Sequence, residues 1–175
     1  MVRNSIEGVP YHIDNFQAYI GHSLGTSDWL PIEQGRVDSF GEATNDLNPL
    51  HVDPEWAKAN SPFGGPIAHG FLTLSMLSHL SWMADLQPDG VDYGINLGFE
   101  RVRFLAPVMV GDRIRLRTYL LDVKPRDAGR WWFKCRVTVD TEKTAKAALS
   151  AIWLILFVRE ADAGPMMGDP GESIE

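Results

Sequence analysis

The sequence predicts an α+β fold in which an antiparallel β-sheet wraps around one long apolar helix. Residues 71–84 are apolar on every side of a helical wheel and carry no formal charge, a composition typical of a helix enclosed on all sides. After about Tyr93 the apolar residues recur with a period of two, as they do in half-buried strands. A sheet wrapped around the helix buries both apolar surfaces.

Length and composition limit the classes of protein and of partner. The 175 residues suit a single domain with its own core. Cys135 is the only cysteine, which excludes an intrachain disulfide and multi-cysteine zinc sites and favours a reducing, cytoplasmic setting. The longest charge-free run, residues 59–84, contains prolines, glycines and histidines, so no membrane span is expected, and the N-terminus lacks the apolar core of a signal peptide. A net charge of −7 and the lack of a nucleic-acid motif argue against a nucleic-acid partner.

The first part of the chain predicts short elements. Residues 15–24 predict a short helix, residues 28–32 a short strand, and residues 37–44 one or two helical turns. The turns end before Asn48, because a residue that precedes proline avoids the helical region. Asp53 is a typical helix cap, since a proline and then an acidic residue follow it.

The second part predicts long strands joined by tight turns. Residues 113–117 alternate between charged and apolar, and residues 129–140 place their apolar side chains on one face. Residues 147–158 are apolar on both faces, which predicts a central strand. Turns are expected at residues 111–112 and 127–129.

Three segments are distinguished along the chain. Residues 28–158 form the predicted domain, and residues 1–27 an N-terminal extension. Residues 159–175 are rich in Gly, Pro and acidic residues and predict a flexible acidic tail. Within the domain, residues 101–136 hold ten of the sixteen Lys and Arg against three acidic residues. This stretch could bind an anionic ligand, or its charges could be solvated strand faces.

Asp46 and His51 form a candidate acid–base pair. Their spacing would separate them by about 140° on a regular helix, but on a loop kinked at Asn48 and Pro49 the two side chains can converge. An Asp and a His that share one water molecule can exchange protons with it. The alternative is a helix-capping Asp and a surface His.

Gly70 precedes the apolar helix and is a candidate oxyanion donor. The first N–H groups of a helix have no partner within it, and a glycine lets a ligand approach that backbone closely. Such an N–H could polarise a thioester carbonyl. The alternative is that Gly70 only forms a tight turn.

These segments resemble the MaoC-like dehydratases, which include the (R)-specific enoyl-CoA hydratases. The residues that match the family's first motif are Phe40, Thr44, Asp46, Asn48, Pro49, Leu50, His51 and Ala57. Residues 64–70 resemble its second block. Residues 96–104, with Pro107 and Gly111, resemble its third, and most closely that of the nodulation-protein-N-like branch. The resemblance covers about residues 28–158.

One position departs from the family's motif. The family usually has glycine before the catalytic Asp, where this chain has Asn45. If the glycine serves to allow a positive φ, Asn is the next most suitable residue.

The resemblance implies a hot-dog fold, a homodimer and reversible hydration of a trans-2-enoyl-CoA to an (R)-3-hydroxyacyl-CoA. It implies that Asp46 is the general base, that His51 holds the water and helps to return its proton to the α-carbon, and that the Gly70 N–H stabilises the enolate-like transition state. No metal or redox cofactor is expected, because coenzyme A is part of the substrate and its thioester acidifies the α-carbon.

Three further residues are assigned to substrate binding. Asn48 is expected to hold the loop or His51 in place. Arg101 and Arg103 are the first candidates for binding coenzyme A. His69 is interpreted as structural.

Two alternative functions remain open. A hot-dog thioesterase commonly uses a carboxylate on or beside the central helix, but residues 71–84 contain no Asp or Glu. A non-catalytic acyl-CoA-binding subunit could share the fold, although this chain retains both Asp46 and His51.

Overall fold

An antiparallel sheet of seven strands is the main element of the computed structural model, which describes residues 2–144 and 146–164. The strands are β1 (Val2–Arg3), β2 (Ser23–Thr26), β3 (Leu30–Pro31), β4 (Tyr93–Phe104), β5 (Arg113–Asp127), β6 (Arg130–Thr141) and β7 (Ala147–Val158). Their order across the sheet is β1-β2-β5-β6-β7-β4, and β3 pairs with β5 beside β2. The predicted central strand, β7, therefore lies between β6 and the edge strand β4.

One long helix packs against this sheet. The helices are a 3-10 helix (Ile13–Tyr19), α1 (Gln34–Thr44), α2 (Pro49–Val52), α3 (Pro54–Asn60) and α4 (Gly70–Met83). Leu77 and Leu80 of α4 belong to the same buried cluster as Leu116 of β5 and Val137 of β6. The predicted α+β fold, with an antiparallel sheet around an apolar helix, is confirmed.

The strand pattern follows the predicted alternation. Phe133, Cys135, Val137 and Val139 of β6 are all buried, because side chains two residues apart point to the same face of a strand. The β5–β6 hairpin turns at residues 128–129, as expected.

The N-terminal segment differs from the prediction. A 3-10 helix occupies Ile13–Tyr19 in place of a helix over residues 15–24, and residues 23–26 form strand β2. Phe16 and Tyr19 are completely buried, and their spacing of three residues suits the three residues per turn of a 3-10 helix. Residues 2–27, set apart above as an extension, thus contribute both strands and side chains to the common core.

Helix α4 is not enclosed on every side, which corrects the prediction. The side of α4 that carries Phe71, Ser75, His79 and Trp82 is open, with Phe71 68% and Trp82 77% exposed. The sheet of one chain covers one side of the helix and leaves the other uncovered. The apolar composition of α4 indicates burial but does not show what buries it.

Six described residues of the predicted tail lie against the domain. The Arg159 side chain donates a hydrogen bond to the Gly90 carbonyl (2.7 Å) and forms an ion pair with Asp14 (2.9 Å). The rest of the predicted tail, residues 165–175, lies outside the described residues. None of the described helices is long and apolar enough to span a membrane.

Candidate active site

The end of helix α1 positions Asp46. Asn45 adopts a left-handed conformation (φ 57°, ψ 25°), so the expectation that Asn replaces Gly at a positive φ is confirmed. The Asn45 N–H donates to the Glu42 carbonyl (3.4 Å), and the Asp46 N–H donates to the Gly41 carbonyl (3.0 Å). This pair of hydrogen bonds is the Schellman motif, which ends a helix and turns the chain sharply. These backbone hydrogen bonds therefore set the position of Asp46.

Gly41 allows the chain to return close to α1. A Cβ atom at Gly41 would lie 2.9 Å from the Asp46 carbonyl oxygen and 3.2 Å from Cγ1 of Val52. A backbone oxygen at 2.9 Å leaves no room for a side chain, so only glycine fits this position.

Asn48 shapes the turn that carries His51. The Asn48 Oδ1 accepts a hydrogen bond from the Leu50 N–H (2.9 Å), and Pro49 occupies the first position of α2. The His51 N–H donates to the Asn48 carbonyl (2.9 Å). Asn48 therefore holds the loop, one of the two roles expected for it.

The His51 ring is held by a backbone carbonyl. Its Nδ1 donates to the Ile67 carbonyl at 2.7 Å. Since a carbonyl only accepts, this contact assigns the proton to Nδ1 and leaves Nε2 of the neutral ring as an acceptor. The Gln34 side-chain amide also donates to the His51 carbonyl (2.7 Å), which fixes the backbone of α2 against α1.

His69 lies beside this pair, although the sequence analysis assigned it only a structural role. It is 2% exposed, and its Nε2 donates to the Asp46 carbonyl (2.9 Å). Its ring stacks against His51, with centroids 3.9 Å apart and 32° between the planes. His69 thus contacts both predicted residues. The one signal in the sequence was its position directly before Gly70.

Asp46, His51 and His69, here called the polar cluster, can hold one small molecule. Each offers one oxygen or nitrogen atom, and these atoms lie within 4.8 Å of one another. The Asp46 side chain is 54% exposed, so water reaches the cluster from outside. The spacing suits one water molecule bound to two acceptors, and a metal ion could also use it.

Gly70 begins helix α4 next to the polar cluster. It follows His69, the residue before the helix, and as the first helical residue it has an N–H with no acceptor inside the helix. A Cβ atom at Gly70 would lie 3.2 Å from the Phe104 ring. Gly70 therefore brings the start of α4 close to the end of β4.

A sequence profile of the MaoC-like domain matches residues 15–144. The chain belongs to the MaoC-like dehydratase family. It is 42% identical over 144 residues to nodulation protein N of Rhizobium meliloti, covering 82% of this chain and 89% of that protein. It is 40% identical over 146 residues to 3-hydroxyacyl-thioester dehydratase Z of Mycobacterium tuberculosis, covering 83% and 95%.

The fold of this MaoC-like protein is the hot dog. The unliganded R-hydratase PhaJ1 of Pseudomonas aeruginosa superposes with a TM-score of 0.63 at 25% identity, over 95% of this chain and 97% of that one. The profile match begins at residue 15, inside the segment that the sequence analysis placed outside the resemblance.

The three sequence blocks of the MaoC-like domain meet in space. The first supplies Asp46 and His51, and the second supplies His69 and Gly70. The third is β4, whose Phe104 ring contacts Gly70 and lies 5.9 Å from the Phe71 ring. The end of β4 thus lies beside the start of α4.

Arg101 and Arg103 lie near this end of β4. Both are exposed, and neither makes an ion pair, hydrogen bond or ring contact with another described residue. The other eight basic residues of 101–136 all have such a partner: Arg113, Arg115, Arg117, Lys124, Arg126, Arg130, Lys134 and Arg136. The register shifts between Glu100 and Arg103, and Arg101 has a φ of 54°. Most basic side chains of residues 101–136 therefore already have a partner within the chain.

Proposed function

We propose that this protein catalyses the reversible hydration of a trans-2-enoyl-CoA to an (R)-3-hydroxyacyl-CoA. The observation that carries the proposal is the polar cluster, which brings a carboxylate oxygen of Asp46 and a ring nitrogen of His51 within 4.8 Å of each other, close enough to bind one water between them. Membership of a dehydratase family, and the names of the thioester dehydratase and the R-hydratase, support a hydro-lyase that acts on acyl thioesters.

The proposed mechanism gives a role to Asp46, His51 and the Gly70 N–H. Asp46 takes a proton from the bound water as its oxygen bonds to the β-carbon of the enoyl thioester, while His51 accepts the second hydrogen bond of that water. The electron pair of the double bond moves toward the thioester carbonyl, and the Gly70 N–H stabilises the negative oxygen. The proton then returns to the α-carbon through the Asp46–His51 pair.

The first test is the hydration of crotonyl-CoA. We expect the ultraviolet absorbance of the conjugated thioester to fall without release of free thiol. His51→Ala should abolish the change, because it removes one of the two groups that hold the water. Release of thiol would identify a thioesterase, and tight binding without any reaction would identify a non-catalytic acyl-CoA-binding protein. Either result would overturn the proposal.

The proposed reaction needs no metal or redox cofactor, although the polar cluster has a spacing that a metal ion could use. The thioester already acidifies the α-carbon, so water can add without a Lewis acid. We therefore expect dialysis against EDTA to leave kcat for crotonyl-CoA unchanged. A loss of activity that one added divalent cation restores would contradict this expectation.

We propose that Arg101 and Arg103 bind the phosphates of coenzyme A. Both lack a partner in the described part of the chain, and guanidinium groups pair well with phosphate. Replacing both with Glu should raise KM for crotonyl-CoA by about tenfold or more, as expected for the loss of one charged hydrogen bond. The kcat should change little.

Two controls test whether the effect of the double variant comes from lost contacts with the nucleotide part of coenzyme A. Crotonyl-N-acetylcysteamine has the reacting thioester without the phosphates, so the double variant should hydrate it as fast as the native protein does. Lys124→Glu reverses one positive charge in the same basic stretch, as each of the two Arg substitutions does, at a residue already paired with Asp122 (3.0 Å). If both thioesters lose activity equally, these arginines do not bind the nucleotide.

We also propose that the protein is a cytoplasmic homodimer. The exposed side chains of Phe71 and Trp82 on α4 support a second copy, since it would cover this side of the helix and the neighbouring edge strand β4. The single cysteine, Cys135, is buried and free, which suits a reducing compartment.

A further inference from the structure

His69 joins the end of α1 to the start of α4. Its Nε2 donates a hydrogen bond to the Asp46 carbonyl (2.9 Å), and its own carbonyl accepts one from the Thr73 N–H (3.2 Å) in the first turn of α4. The imidazole is therefore attached to the helix that presents the Gly70 N–H, and it bonds to the loop that presents the Asp46 carboxylate. One side chain thus links two of the groups that the proposed mechanism uses.

The surroundings of the His69 ring leave it little freedom to move. Its centroid lies 5.1 Å from that of the Phe40 ring and 3.9 Å from that of the His51 ring. A Cβ atom at Gly41 would lie 3.5 Å from the Cε1 of His69, so α1 closes a further side of the ring. His69 is 2% exposed. The imidazole is therefore a firmly held hydrogen-bond donor with almost no surface that a substrate could contact.

The hydrogen bond from His69 fixes the direction in which the Asp46 side chain leaves the backbone. The Asp46 N–H donates to the Gly41 carbonyl (3.0 Å), and the Asp46 carbonyl accepts from His69. Each peptide group is planar, so holding both peptide groups that flank a Cα atom holds its φ and ψ and therefore the direction of its Cβ. Loss of the bond to His69 would free the second of these peptide groups and let the carboxylate move.

Packing alone does not explain a histidine at this place. The Nδ1 atom of His69 is buried and has no hydrogen-bond partner among the described residues, and a buried polar atom without a partner lowers stability. An apolar side chain of similar size would fill the same space without that loss. The Nε2–H donor distinguishes the histidine from such a side chain, and it binds the backbone of the proposed general base.

We propose that His69 is a positioning residue, which keeps the Asp46 carboxylate in place for proton transfer through the hydrogen bond to the Asp46 carbonyl. The proposal rests on the function proposed above. His69 neither contacts the substrate nor exchanges a proton with it, and acts only through Asp46. A misplacement of about 1 Å can lower the rate of an enzymatic reaction about a hundredfold. Loss of this hydrogen bond should therefore lower kcat while the protein still folds.

The test compares His69→Gln with His69→Asn in the full-length protein. The amide nitrogen of Gln lies as many bonds from Cβ as the Nε2 of His does, so it can donate to the Asp46 carbonyl, whereas that of Asn lies one bond short. We expect His69→Asn to lower kcat for crotonyl-CoA about tenfold or more, and His69→Gln to keep it within about threefold of the native value. KM should change by less than about twofold in both variants, because the replaced side chain does not contact the substrate.

A double-mutant cycle determines whether His69 acts through Asp46. In the Asp46→Asn background the carboxylate is already lost, so His69→Asn should lower the remaining kcat by less than about twofold. A residue that only stabilises the fold would lower kcat by the same factor in both backgrounds. Equal kcat values for His69→Gln and His69→Asn, or equal factors in the two backgrounds, would overturn the inference.

The two proposals fail in distinguishable ways. If the native protein hydrates crotonyl-CoA and His69→Asn does so equally fast, only the role of His69 fails. If the native protein does not hydrate crotonyl-CoA, the proposed function fails, and amide hydrogen exchange then tests the placement of Asp46 alone. The Asn45 and Asp46 N–H groups should exchange about tenfold faster in His69→Asn than in His69→Gln, the effect of one lost hydrogen bond. Equal exchange in the two variants would overturn the placement as well.

Discussion

Asp46→Asn is expected to lower kcat for crotonyl-CoA hydration by about 10²–10⁴-fold, the range of a lost general base. The fold should be unaffected, because the contacts that place this residue come from its backbone: the N–H binds the Gly41 carbonyl and its carbonyl binds His69. The measurement is kcat together with the thermal unfolding midpoint, which should stay within a few degrees of the native value.

Asp53→Asn is the matched control. It removes the same charge seven residues away, where the Asp53 Oδ1 caps α3 by accepting a hydrogen bond from the Trp56 N–H (2.9 Å). Asn caps a helix about as well as Asp does, so neither stability nor kcat should change much. Near-normal turnover in Asp46→Asn would remove this residue from the mechanism.

Gly70→Pro should lower kcat by roughly 10²–10³-fold compared with Gly70→Ala, the cost of one lost oxyanion donor. Proline removes the N–H, and the first helical position tolerates it. The preceding residue, His69, already has the extended conformation (φ −57°, ψ 137°) that proline requires. Gly70→Pro and Gly70→Ala are therefore expected to have the same helix and to differ in the N–H donor at residue 70.

Gly70→Ala is the reference because it adds the Cβ but keeps the N–H. That Cβ meets the Phe104 ring at 3.2 Å, and Phe104 is 49% exposed, so the ring has room to shift. Circular dichroism of the two variants should match. If their kcat values also match, the Gly70 N–H does not stabilise the transition state.

The main elements could be predicted from the sequence because their signals are local. The alternation in β6 and the continuous apolar run of β7 depend only on which side chains neighbour one another along a strand. Asp46 and His51 lie five residues apart, and a glycine-like conformation at Asn45 is a property of that one residue. These features needed no knowledge of distant parts of the chain.

The remaining features depend on contacts between distant segments. His69 lies 23 residues after Asp46, and nothing in its own neighbourhood shows that its ring meets the Asp46 carbonyl. Phe16 and Tyr19 are buried because the N-terminal segment packs against the sheet, in particular against Phe133. The sequence analysis missed the open side of α4. The apolar composition of a helix predicts that its side chains are buried, but it does not show which surface buries them.

The peptide group of Asp46, and not its side chain, makes the hydrogen bonds that hold this loop. The shape of the loop therefore does not depend on the carboxylate that carries the proposed chemistry. The hydrogen bonds to Gly41 and His69 would form with any side chain that tolerates this backbone. On the proposed mechanism, a single nucleotide change at this codon would silence or alter the reaction while the loop keeps its shape. Such a position would let a lineage change its chemistry by point mutation, without first changing the loop that presents the side chain.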